Sequence, residues 1–145
     1  MSMDFGSLKV GLCISRFNYE HVSVLESSIV DELIKLGFQE ANLDKFYVPG
    51  ALELPLLLAR CCKSKKYHAL IAIGAVIRGE TYHFEVVSDQ SAMGIMNVQL
   101  QYDVPIMNAI LTTNNDDETI QRTSTKGIEV VNGLIETLAT LNSIT

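Results

Sequence analysis

Residues 8–14 (LKVGLCI), 44–48 (DKFYV), 68–76 (HALIAIGAV) and 105–112 (PIMNAILT) are short runs dominated by branched and aromatic side chains. Runs of this length suit strands buried in a parallel sheet. Each is followed by apolar residues at helical spacing. After the first, Val22, Leu25, Ile29, Leu33 and Leu36 form a stripe that stops at Gly37, with Asn18 placed to cap the helix. After the second, Pro49-Gly50 breaks the strand and a helix begins near Ala51, running through Leu52, Leu56 and Ala59 with Pro55 in its first turn. After the third, Phe84, Val87, Ser91, Ile95 and Val98 put one face of residues 81–101 inward. After the fourth, Asn115 and Glu118 read as the capping box of a short helix ending near residues 122–123. A last helix starts near residue 126, with Ile128, Val131, Leu134, Ile135, Leu138 and Leu141 as its stripe, weakened by Asn132-Gly133.

Strands alternating with helices predict an α/β fold: a three-layer αβα sandwich around a four-stranded parallel sheet with right-handed crossovers. Nothing in the chain reads as a repeat or linker, so residues 1–145 are expected to form one domain. In such sheets ligands gather beyond the carboxyl ends of the strands. Those ends here supply residues 15–18, 49–53, 76–83 and 112–115, so the unusual side chains converge on one rim.

Phe17 at that rim either plugs the domain edge or offers a face to a planar ring. Glu53 either complements a helix dipole or turns its carboxylate to a ligand. Asn108 interrupts the fourth apolar run, and a buried Asn is tied to neighbouring backbone or offered to a ligand. Gly79, Glu80 and Thr81 are expected at a helix N-terminus, where N–H groups without internal partners favour an anion such as phosphate. His83 lies in the first turn of that helix, and an imidazole moves protons at neutral pH. His21 and His68 have no such setting and read as structural.

Composition narrows the class. The net charge is −6, and the only lysine cluster is Lys63, Lys65 and Lys66, read as a solvated helix end, so nucleic acid is not an expected partner. The N-terminus has no signal-peptide pattern and no apolar run reaches the ~20 residues of a membrane span, so no membrane is expected either. Cys13, Cys61 and Cys62 form no disulfide framework, which suits a reducing cytoplasm. No HExxH pattern, acidic ligand cluster or nucleotide loop occurs, so no metal is expected. At 48% hydrophobic residues the chain is apolar enough to suggest surface hidden against other copies of itself. The residues alone define a small α/β phosphate-ligand protein fitted for proton transfer.

Four blocks carry a resemblance: RFN at residues 16–18, VPGALELP at 48–55, GAVIRGETYH at 74–83 and LTTNN at 111–115. Together and at these spacings they are specific, and the chain resembles the 6,7-dimethyl-8-ribityllumazine synthases of riboflavin biosynthesis over nearly its whole length. The resemblance implies a flavodoxin-like fold and a transferase. Its reaction joins 5-amino-6-(D-ribitylamino)uracil to 3,4-dihydroxy-2-butanone 4-phosphate without metal or organic cofactor.

It also implies roles by position. Phe17 would stack on the pyrimidine, Ala51, Leu52 and Glu53 would meet the ribityl chain, and Ala75, Val76 and Ile77 the polar edge of the ring. Asn108 would line the same pocket, Glu80, Thr81 and Arg122 would hold the phosphate, and His83 would relay protons. Homopentamers, icosahedral shells built from them, and riboflavin synthase as a partner come with the family. Leu52 and Asn108 depart from the phenylalanines of many members, Glu80 from a smaller residue, and the segment after Arg122 is short, which leaves Lys126 outside the assigned site. A lumazine- or flavin-binding paralogue without turnover is the alternative reading.

Overall fold

In a computed structural model the chain is described over residues 3–144. Its main elements are β1 (Val10–Ser15), α1 (Tyr19–Lys35), β2 (Leu43–Val48), α2 (Leu54–Ser64), β3 (Ala69–Ile77), α3 (His83–Tyr102), β4 (Ile106–Thr113) and α4 (Asp116–Ile144). The strands are parallel in the order β2-β1-β3-β4. This is the flavodoxin-like order, and the expected αβα sandwich is the observed one.

Strand alternation builds the layers. Val10, Leu12 and Ile14 of β1 and Ala69, Ile71 and Ile73 of β3 pack with Val22, Leu25, Ile29 and Leu33 of α1 and with Val131, Leu134 and Leu138 of α4. Their neighbours Cys13, Leu70 and Ala72 face the other way, onto Leu54, Leu58 and Cys61 of α2 and Val87, Ile95 and Val98 of α3. The two inner strands are therefore apolar at successive positions because both faces are covered.

Local chemistry sets the ends. Helix α1 stops in a Schellman turn, with Gly37 at φ +113°, its N–H on Ile34 O at 3.1 Å and the Phe38 N–H on Leu33 O at 3.0 Å. The chain after Gly50 forms a single 3₁₀ turn, Ala51–Glu53, before α2 proper. As a result Leu54 and Leu58 face inward while Leu56 is exposed, which corrects the expected stripe through Leu52 and Leu56. Asn18 occupies the N-cap position, its carbonyl accepting from His21 N at 2.9 Å and Val22 N at 3.1 Å, but at φ 60° its side chain makes no capping bond.

The expected pair of C-terminal helices is one continuous helix, α4. The Asn115 cap is present, its Oδ1 accepting from Glu118 N at 2.9 Å. The polar run after Arg122 does not break the helix, because the Thr123 and Ser124 hydroxyls donate to the Ile120 and Gln121 carbonyls within it. Thr123 and Gly127 are buried. Gly127 permits the close approach to α1, since a Cβ there would lie 2.3 Å from Ser28 Oγ and 2.9 Å from Ser28 Cβ. We expect Gly127→Ala to lower stability by about 1–3 kcal/mol despite the better helix propensity of alanine. A lower denaturation midpoint, relieved by adding Ser28→Gly, checks this; an unchanged midpoint means the α1–α4 spacing yields.

Candidate active site

Beyond the carboxyl ends of β1, β2 and β3 lies a cavity of about 500 Å³. The first wall is the turn after β1. Arg16 N donates to Val48 O at 2.8 Å and Phe17 N to Pro49 O at 3.0 Å, extending the β1–β2 ladder past the strands. Phe17 lines the cavity and is 70% exposed, so it does not plug the domain edge. Asn18 follows in the left-handed region that Asn tolerates, and its Nδ2 donates to Ala75 O at 3.0 Å, tying this wall to the end of β3.

Pro49, Gly50 and the 3₁₀ turn make the second wall, bringing Ala51, Leu52 and Glu53 to the cavity. A Cβ on Gly50 would meet Glu53 Oε1 at 3.1 Å, so glycine leaves room for that carboxylate at the cavity edge. Ala75, Val76 and Ile77 at the end of β3 form the floor. Gly79, Thr81, His83, Phe84 and Val87 complete the rim.

The helix begins later than its sequence suggests. His83 is the first residue of α3, and Glu80 and Thr81 belong to the approach turn. The Thr81 hydroxyl accepts from His83 N at 3.4 Å, and the first helical bond runs from Val86 N to Tyr82 O at 3.2 Å. The helix N-terminus still opens at the cavity with His83 on its edge. Glu85, in the first turn, has its carboxyl held below the usual range by its own backbone N–H and by the Arg78 guanidinium.

Three assigned residues are not in this cavity. Glu80 is exposed outside its lining. Asn108 is exposed rather than buried, and its Oδ1 accepts from Ile110 N at 2.9 Å on the free edge of β4. Arg122 is exposed on α4. Ser15 and Pro49 line the cavity as members of the expected rim, while Phe84 and Val87 line it without having been assigned to it, because the inward face of α3 begins there. The two other histidines have structural partners: His21 Nε2 lies 2.9 Å from Asp116 Oδ1, and His68 Nδ1 accepts from Lys9 N at 2.9 Å. Cys13 is no nucleophile, since the Cys61 sulfur 3.9 Å away and burial both push its thiol up.

These features define a flavodoxin-like α/β domain whose small-molecule pocket lies beyond the strand ends, with an aromatic face, a carboxylate and a histidine around it. A family model described as 6,7-dimethyl-8-ribityllumazine synthase matches residues 7–142. The chain belongs to the 6,7-dimethyl-8-ribityllumazine synthase family. It is 50% identical to the 6,7-dimethyl-8-ribityllumazine synthase of Nitrosospira multiformis over 89% of this chain and 81% of that one. It is 46% identical to that of Methylobacillus flagellatus over 94% and 92% of the two chains, and 45% identical to that of Nitrosomonas europaea over 93% and 82%. These relatives favour the synthase over the binding paralogue without turnover.

Proposed function

We propose that this protein is a single-domain transferase of riboflavin biosynthesis. It condenses 5-amino-6-(D-ribitylamino)uracil with 3,4-dihydroxy-2-butanone 4-phosphate to 6,7-dimethyl-8-ribityllumazine, releasing phosphate and water. The observation that carries this reading is one cavity, in a chain of this family, that gathers Phe17, Glu53, Thr81 and His83. The pyrimidine stacks on Phe17, the ribityl chain runs along Ala51, Leu52 and Glu53, and the end of β3 at Ala75, Val76 and Ile77 offers backbone groups to the ring edge. The phosphate sits by Glu80 and Thr81 in the turn leading into α3, where the positive end of the helix dipole favours an anion.

The chemistry needs binding and proton transfer. The ring 5-amino group adds to the ketone and loses water to form an imine, phosphate leaves after proton abstraction, and the ribitylamino nitrogen closes the ring with loss of a second water. His83 accepts and returns protons in these steps. Holding two reactants in a near-attack pose accounts for much of the remaining acceleration.

The site is completed by a second copy. Asn108 and Arg122 lie outside the chain's own cavity and are assigned to that of a neighbour. Val86, Met93, Met96 and Leu100 expose a stripe along α3, from 37% to 74% per residue, and Leu52 and Leu56 expose a second patch. Apolar surface of this kind suits burial between copies, here as a homopentamer. Native mass measurement distinguishes five chains from an icosahedral shell able to associate with riboflavin synthase. The three free thiols suit residence in the cytoplasm.

The test is to mix purified protein with both substrates and follow lumazine fluorescence against a no-enzyme control. A rate above the control, with equimolar phosphate release, is expected; a rate equal to the control overturns the assignment. Phe17→Ala is expected to weaken aminouracil binding by about 1–3 kcal/mol, the usual worth of a base stacked on an aromatic ring. Titration of that substrate alone checks it, and an unchanged dissociation constant places the ring elsewhere.

A further inference from the structure

Arg78 stands between Ile77 and Gly79, both of which line the cavity, yet it does not line it itself. Its guanidinium is engaged elsewhere. Nε donates to Asn114 Oδ1 at 2.9 Å, Nη1 pairs with Glu85 Oε1, and the guanidinium carbon lies 4.4 Å from the centroid of the Phe84 ring. The Arg78 backbone N–H donates to Thr113 O at 2.8 Å. Asn114 is itself held, its backbone N–H and Nδ2 reaching Glu118 at 3.2 and 3.4 Å. One side chain therefore joins the end of β3, the first turn of α3 and the turn between β4 and α4.

The segment so bracketed is the one that carries the chemistry. Residues 79–82 are neither helix nor strand, and nothing lies within 4 Å of a Cβ built on Gly79. The places of Thr81 and His83 are then set by how the two ends of the segment, at Arg78 and at Phe84 and Glu85, are pinned. Arginine suits the task because its planar fork makes two directed bonds while its face stacks on a ring, which lysine cannot do.

We propose that Arg78 and Glu85 clamp residues 79–84, making Arg78 a positioning residue for His83 and the phosphate subsite that touches neither substrate. The inference rests on the synthase reading of the cavity. A purely stabilising ion pair predicts something different. The side chains of Arg78 and Glu85 are 48% and 32% exposed, and pairs of that kind contribute little to global stability. The clamp instead predicts local loosening and a kinetic loss with little change in melting temperature.

The experiment uses the assembled protein with Arg78→Lys, Arg78→Gln, Glu85→Ala and the Arg78→Gln/Glu85→Ala pair. Hydrogen exchange across the segment is read without substrates at its bonded amides, His83 N on Thr81 Oγ and Val86 N on Tyr82 O, alongside kcat and KM for each substrate. Both Arg78→Gln and Glu85→Ala are expected to speed exchange in that segment alone and to lower kcat/KM for the phosphate substrate by roughly ten- to a hundredfold, as for a misplacement of about 1 Å. Arg78→Lys falls between, the aminouracil KM stays put, and the double variant loses no more than either single one. Unchanged exchange in Arg78→Gln overturns the clamp whether or not the wild type makes lumazine. Faster exchange with unchanged kinetics overturns the positioning role, and additive losses in the double variant overturn the pairing with Glu85. A wild type without activity removes the synthase reading, while the exchange result still decides whether the segment is clamped.

Discussion

His83→Ala is expected to lower kcat by about 10²- to 10⁴-fold, the range for loss of one positioned acid–base group, while leaving aminouracil affinity nearly unchanged. The split follows from placement. His83 is exposed at the cavity rim as the first residue of α3, whereas the groups assigned to the pyrimidine, Phe17 and residues 75–77, belong to the β1 turn and the end of β3. Removing the imidazole takes away the proton relay and leaves the stacking wall and floor intact. The remaining rate reports what holding the two substrates together achieves by itself. Single-turnover kinetics beside a binding titration separate the two quantities, and an undiminished kcat removes His83 from the mechanism.

Arg122→Ala is expected to raise KM for the phosphate substrate by roughly ten- to a hundredfold, since a hydrogen bond to a charged group is worth about 1.5–3 kcal/mol. Arg122 is exposed on α4 and absent from its own chain's cavity, so under the proposed shared site the loss is expected in a neighbour's cavity. That makes a sharper consequence available. Under conditions where each variant alone is nearly inactive, His83→Ala and Arg122→Ala chains dissociated and reassembled together should regain activity. With equal mixing in a cyclic assembly, roughly a quarter of the sites draw His83 and Arg122 from intact copies. No recovery in verified mixed assemblies places both residues in one chain's site and contradicts the shared one.

Much of this architecture was legible because the inner strands state their burial plainly. Residues 68–76 are apolar at nearly every position since both sheet faces are covered, and the α1 stripe from Val22 to Leu33 is the face that packs. Elements whose fate depends on tertiary contacts were less so. The TST run after Arg122 looks like a break, and the hydroxyl bonds of Thr123 and Ser124 within the helix, with the approach of Gly127 to Ser28, show why it continues. Asn18 has the chemistry of a cap, but its amide goes to Ala75 O across the sheet, a partner 57 positions away that no local pattern reveals. Asn108 was expected to be buried because apolar residues surround it in sequence; β4 is an edge strand, and Asn108 turns outward to satisfy the Ile110 N–H. The cavity was legible as the ends of β1, β2 and β3 converging on one rim, which the expected fourth end, residues 112–115, does not line; the part assigned to another copy rests on the resemblance and has no local signature in this chain.

The most direct test is a crystal structure of the assembled protein with inorganic phosphate and an aminouracil analogue whose 5-amino group is replaced by one that cannot condense. The pyrimidine ring is expected against Phe17, the ribityl chain along residues 51–53, and phosphate beside Thr81, with His83 between them and a neighbour's Arg122 on the anion. An analogue bound away from this rim, or phosphate held by groups other than the start of α3, would contradict it.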